Sequence, residues 1–181
     1  MLLILVIAAC GVAVDQITKA LALAHLTEGQ PIPVVSDLLQ LQILRNPGAA
    51  FGTGTSLTLV FAILAVVALG GVVIFVVPKV KCTVWAITVG LGVAGIAGNL
   101  LDRIFQEPGG FRGHVIDFLA LKYFAVFNVA DVALTAAAIM FVVITVFLQV
   151  DLTGHRLASA AAATPESTDT DTDGDPRDED Q

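Results

Sequence analysis

Charge is scarce in this sequence. Asp, Glu, Lys and Arg make up 14% of 181 residues, and eight of the sixteen acids crowd into Leu157 to Gln181 against Arg177 alone. The rest of the chain has eight acids and eight bases, so the formal net charge of −7 belongs to the tail. No basic stripe remains to grip a phosphate backbone, which excludes nucleic acid as a partner. Cysteine is nearly absent: Cys10 lies in an apolar run and Cys82 in a short loop, a pattern of free thiols rather than a disulfide framework. The three histidines (His25, His114, His155) are scattered and no HExxH occurs, which argues against a zinc hydrolase. No GxSG-type motif occurs, Ser36 and Ser56 have no evident base, and only spacing would support a Ser/Lys pair with Lys19. Neither a metal nor another cofactor is expected.

What is abundant is apolar sequence. The chain is 56% hydrophobic with a mean hydropathy of +0.88, too apolar for a soluble domain, and several runs approach the ~20 residues that cross a bilayer. The expectation is an all-α membrane protein, a bundle of four spans at about 2–26, 57–77, 83–103 and 128–150. A small β-element is expected at about 30–52, where Pro31 and Pro33 favour extended backbone and Leu39-Gln40-Leu41-Gln42-Ile43 alternates at period two before the Asn46-Pro47-Gly48 turn. Residues 1–153 read as one membrane domain and 154–181 as a disordered acidic tail. Ile7-Ala8-Ala9-Cys10 resembles a lipoprotein processing box, but no basic region precedes it and the helical pattern runs on to Leu26; it reads as a retained first span.

The first span must carry Asp15 and Lys19 toward its far end, because Leu2 to Val14 supplies only roughly 20 Å of helix. Their i,i+4 spacing with the acid first suits an ion pair, with Lys19 either snorkelling outward or lining a polar site. In the third span Gly90, Ala94 and Gly98 recur every four residues, a spacing for close helix packing in lipid, and Asn99 lies one turn before Arg103. Asn128 is a good N-cap for the fourth span, with Asp131 three residues on.

Alternating spans put the end of the first, the start of the second, the end of the third and the start of the fourth at one membrane face. Asp15, Lys19, Asn46, Asn99, Asp102, Arg103, Asn128 and Asp131 all fall there, with Asp117 in the connecting segment. Independent caps would occur at both faces, so the clustering argues for one shared site. Two facing aspartates tend to share a proton, one ready to deprotonate water and the other to protonate a carbonyl oxygen. Asp117 and Asp131 are the candidate catalytic pair, provided the segment between them returns. Competing readings are a small proton-coupled membrane transporter using the same acids and a non-catalytic lipid-binding or assembly protein.

The segments Asp15-Gln16-Ile17-Thr18-Lys19, Asn46-Pro47-Gly48-Ala49-Ala50-Phe51, Gly98-Asn99-Leu100-Leu101-Asp102-Arg103, His114-Val115-Ile116-Asp117-Phe118 and Phe127-Asn128-Val129-Ala130-Asp131 resemble, in order, those of the lipoprotein signal peptidases. The resemblance implies an intramembrane aspartyl protease without a metal, whose substrate is a prolipoprotein carrying diacylglycerol on its lipobox cysteine and cut just before it. It implies that Asp117 and Asp131 are the dyad, that Asp15, Asn46, Asn99, Arg103 and Asn128 support it or hold substrate backbone, and that Asp102 orients Arg103. It further implies a β-cradle after the first span and a mobile helix over the site within Arg112 to Phe127. Beyond substrate and membrane lipids no partner is expected, the protein acting as a monomer in the bacterial cytoplasmic membrane. Its site would face outward and both termini the cytoplasm, although counting Lys and Arg leaves the orientation open. Lys122 to Phe127 lacks the tryptophan often found before the Asn-x-x-Asp segment, and the acidic tail is not a feature of the family.

Overall fold

The computed structural model describes residues 1–48 and 56–156. Ala49, Ala50, Phe51 and the acidic tail from Leu157 lie outside the described residues. Four helices are long and apolar enough to cross a membrane: Leu2–His25, Leu57–Lys79, Thr83–Phe105 and Val129–Leu148. Their limits agree with the expected spans to within a few residues. The helix α1 (Leu2–His25) is followed by α2 (Ser56–Gly71), α3 (Thr83–Phe105) and α4 (Val129–Val142). The second span departs from a plain α-helix: Val72–Val76 winds as a π-turn and Val77–Lys79 as a 3₁₀ turn. Pro78 lacks the N–H that α-helical bonding there would need.

Small residues make α3 the centre of the bundle. A Cβ added at Gly90 would meet Ile7, that of Ala94 is already where a Cβ on Gly11 would go, and one on Gly98 would meet Asp15. These are three positions four residues apart along both helices, so α1 and α3 run in the same direction with backbones close together. On its other side, Gly92 faces Ala137 and Gly95 faces Ala130 and Leu134, so α4 packs antiparallel. The bundle therefore brings the C-terminal ends of α1 and α3 to the N-terminal end of α4.

A four-stranded antiparallel sheet sits at that end, in the order β1 (Ile32–Val35), β2 (Leu39–Asn46), β3 (Val115–Leu121), β4 (Val126–Phe127). Only β1 and β2 fall inside the β-element expected from sequence. Arg112 to Phe127, expected to contain a helix, instead supplies β3 and β4. Val115-Ile116-Asp117-Phe118 is rich in β-branched and aromatic residues, and it pairs with the edge of β2 that would otherwise be open. The register sets Asn46 opposite Val115, so the side chains of Asn46 and Asp117 share one face of the sheet. The other face buries Ile116 and Phe118 with Ala22 and Ile43. The opposite end of the bundle is closed by Ile4, Val77, Val80, Trp85, Ala86, Val89 and Ile144.

Candidate active site

The first turn of α4 fixes one carboxylate. The Asn128 side chain accepts from the Asp131 N–H at 3.0 Å, and Asp131 Oδ2 accepts from the Asn128 N–H at 3.1 Å, a reciprocal capping box. The free oxygen of Asp131, Oδ1, accepts from Asn99 Nδ2 of α3 at 2.8 Å. Because Asn128 Oδ1 is engaged by the cap, its Nδ2 is left to donate, and it reaches Asp117 Oδ1 at 2.6 Å and Asn99 Oδ1 at 3.1 Å.

The second carboxylate is set by the sheet. Asp117 is 1% exposed, and its Oδ2 accepts from Asn46 Nδ2 at 2.9 Å. The Asn46 amide is oriented by the following turn, where Gly48 N–H donates to Asn46 Oδ1 at 2.8 Å. That turn holds Gly48 at φ +87°, a conformation natural to glycine, and the Thr58 hydroxyl of α2 donates to the Pro47 carbonyl. Burial pushes the Asp117 carboxyl up from its ordinary 3.8 to about 6. The charge of Asp131 raises it further, while the amides of Asn46 and Asn128 and the Lys19 ammonium pull it back.

Behind the two acids lies a buried ionic cluster. Lys19 Nζ is 2.9 Å from Asp15 Oδ2 and 2.8 Å from Asp102 Oδ2, and it donates to Asn99 Oδ1 at 3.1 Å. Lys19 is 1% exposed, which overturns the snorkelling alternative. Asp15 Oδ1 accepts from the Ala130 N–H at 2.9 Å, and Asp102 Oδ2 from the Ile116 N–H at 3.1 Å. Among the described residues the Asp102 carboxylate pairs with Lys19 of α1 and makes no salt bridge to Arg103, its neighbour on the helix. Arg103 Nη1 donates to the Asn99 carbonyl at 3.0 Å, while its buried Nε has no partner among the described residues.

All nine residues singled out from the sequence therefore join one hydrogen-bonded set. Sequence reasoning missed Gln16, whose Nε2 lies 3.1 Å from Asp15 Oδ2, 3.2 Å from the Gly98 carbonyl and 3.0 Å from Asp102 Oδ1. Its position beside Asp15 in the first motif was the available signal. His114 makes no hydrogen bond to Asp117 among the described residues. Beside Asp131 an apolar groove of about 400 Å³ runs along α4, lined by Phe124, Phe127, Val132, Thr135 and Ile139.

Two polar-anchored carboxylates at one rim of a membrane bundle, next to an apolar groove, are the arrangement that an intramembrane hydrolase of the aspartic type requires. Residues 7–147 match the family model described as signal peptidase (SPase) II. The chain is similar to the lipoprotein signal peptidase of Leifsonia xyli subsp. xyli, with 42% identity over 175 residues, covering 92% of this chain and 80% of that one. It is also similar to that of Rhodococcus jostii, 42% identical over 147 residues, covering 80% of this chain and 72% of the other. A solved bacterial membrane enzyme superposes with a TM-score of 0.63 at 26% identity, covering 80% of this chain and 92% of that one. The chain belongs to the lipoprotein signal peptidase family: it is a multi-pass bacterial membrane protein and an aspartic endopeptidase that cleaves signal peptides from prolipoproteins.

Proposed function

We propose that Asp117 and Asp131 are the catalytic pair of this peptidase, acting on the peptide bond before a diacylglyceryl-modified cysteine. The observation that carries this reading is Asn128, which hydrogen-bonds both carboxylates at once and so couples strand β3 to helix α4. Asp131 takes a proton from water as the water oxygen bonds to the scissile carbonyl carbon. Asp117, whose protonated form burial favours, gives its proton to the carbonyl oxygen. In the second half, the proton on Asp131 passes to the leaving amine nitrogen as the C–N bond breaks. Asp117 recovers its proton from the new hydroxyl, and the pair titrates jointly throughout.

The remaining groups fit supporting roles. Asn46, Asn99 and Asn128 aim the carboxylates, and Arg103 Nε, which has no partner among the described residues, is a donor suited to a substrate carbonyl. The apolar groove along α4 suits the lipid-borne part of the substrate, which reaches the rim sideways through the bilayer. Residues 1–153 act as one domain and as a monomer, with the rim facing outward and the Lys79–Lys81 connector in the cytoplasm. A proton relay for transport would need acids at several depths, whereas Asp15, Asp102, Asp117 and Asp131 form one cluster at one rim.

Incubation of the purified protein with a diacylglyceryl-modified precursor tests the assignment. Release of the intact signal peptide is expected, with the new N-terminus at the lipidated cysteine. Cleavage at the wild-type rate by either Asp117→Asn or Asp131→Asn would remove the assignment of the pair.

A further inference from the structure

We infer that Lys19 is a positioning residue for the reaction: one buried ammonium that ties together the backbones and side chains presenting both acids, without touching substrate. The inference rests on the assignment of Asp117 and Asp131 above. An ammonium has three donors and no acceptor, and each donor here starts a separate branch. Through Asp102, 2.8 Å away, it reaches the Ile116 N–H, one residue before Asp117. Through Asn99, at 3.1 Å, it reaches Asp131 Oδ1. Through Asp15, 2.9 Å away, it reaches the Ala130 N–H, one residue before Asp131.

The Asn99 branch has a directional consequence. Lys19 can only donate, so the amide of Asn99 must turn its oxygen toward the ammonium and its NH₂ toward Asp131. A flipped amide would set its oxygen against the Asp131 carboxylate. The ammonium, together with Asn128 Nδ2, which donates to the same oxygen, therefore sets which group Asp131 meets, although Lys19 and Asp131 do not bond to each other. Ion pairs buried this deeply seldom improve stability over a packed apolar core. The Asp15–Lys19 pair uses only one of the three donors, and the other two leave that helix for Asp102 and Asn99. Both end at segments presenting an acid.

The test is the triple variant Asp15→Asn/Lys19→Met/Asp102→Asn, which removes all three charges of the cluster and in which both amide oxygens can still accept from Ala130 and Ile116. With the folded variant and a diacylglyceryl-modified precursor, kcat should fall about 100-fold, the scale of small misplacements of catalytic groups, while KM stays unchanged. Hydrogen exchange at the Ile116 and Ala130 amides should quicken while the Trp85 end of the bundle stays protected. A folded triple variant with wild-type kcat would overturn the inference, as would kcat and KM changing in proportion. The version with Lys19→Gln in place of Lys19→Met retains polar volume. If neither version folds, the ammonium is a requirement of the fold rather than of the dyad, and the inference is equally overturned. Activity in Asp117→Asn or Asp131→Asn would instead sink the assignment of the pair, so the two failures are separate.

Discussion

The two ends of α3 are packed by the same device and closed in opposite ways. Toward its start, Gly90 lets α1 approach over Ile7, and the space beyond is filled by Ile4, Trp85, Val89 and Ile144. Toward its finish, Gly98 lets α1 approach over Asp15, and the space beyond holds Lys19, Asn99, Asp102, Asn128 and Asp131. The apolar end can exchange volume among neighbours at modest cost. At the polar end a deletion at buried Asp15, Lys19, Asp102 or Asn128 leaves a donor, acceptor or charge without its partner. Helix approach is a matter of small residues, and function is a matter of what the approach is made to surround.

The comparison breaks most sharply at the acids. Asp117→Asn or Asp131→Asn removes the proton-transfer groups and should lower kcat by about 1,000-fold or more. Each amide keeps one acceptor oxygen where the carboxylate used two, so one donor is left facing an NH₂ and the melting temperature in detergent should drop modestly. A glycine pair sharpens it next. A Cβ at Gly98 would sit 2.6 Å from Asp15 Oδ2 and 3.1 Å from the Ala130 Cβ, and Asp15 cannot swing away without releasing Lys19. A Cβ at Gly90 would sit 2.9 Å from the Cβ and Cγ2 of Ile7. Both Gly98→Ala and Gly90→Ala should cost about 1–3 kcal/mol of stability through overpacking. Only Gly98→Ala should also lower kcat per folded molecule, measured by cleavage assays normalised to the melting signal. Equal kcat in the two would mean that the polar end tolerates displacement as the apolar end does.

The same contrast explains what the sequence made visible. Asp15, Asn99, Asn128 and Asp131 stand out because apolar residues surround them in the chain, and topology alone then gathers them at one rim. Strand β3 was hidden for the reverse reason. Val115, Ile116, Asp117 and Phe118 are all buried, so no alternation of inside and outside marks them as a strand. The Asp102–Lys19 pair was not legible because adjacency in sequence is not adjacency in the bundle: the Asp102 carboxylate meets Lys19 on α1, while Arg103 donates to the Asn99 carbonyl. The depth of Lys19 depends on the approach of α1 to α3 at Gly98, which spacing suggests but cannot measure. The order of the five motifs carried the family resemblance in spite of these misses.

A finer test lies in the titration of the pair. Asp117 is raised to about 6, so kcat/KM should fall as pH rises through that region, where the free enzyme loses the proton its mechanism needs. The sign for stability is the same. A carboxyl raised in the folded state contributes stability that is fully present below its ordinary 3.8 and lost as pH rises through about 6. The Asn46 amide donates to the carboxylate and holds this value down. Asn46→Ala should therefore move the alkaline limb of kcat/KM to higher pH. A limb that stays in place or moves down would show that Asp117 is not the proton donor.

The smallest effect is expected at the apolar end, where a polar bond exists for the fold alone. Trp85 Nε1 donates to the Val150 carbonyl at 3.0 Å, fastening the chain after the fourth span back onto α3, and its ring meets Phe141 edge to face at 5.7 Å. Trp85→Phe keeps an aromatic body but leaves that carbonyl without its donor, a loss of about 1–3 kcal/mol. The melting temperature should drop while kcat, KM and the pH profile remain those of the wild type, because none of the bonds that aim Asp117 and Asp131 passes through this end. A change in the pH profile of Trp85→Phe would mean that the two ends of α3 are coupled, and that the polar rim is held by the whole helix rather than by its own network.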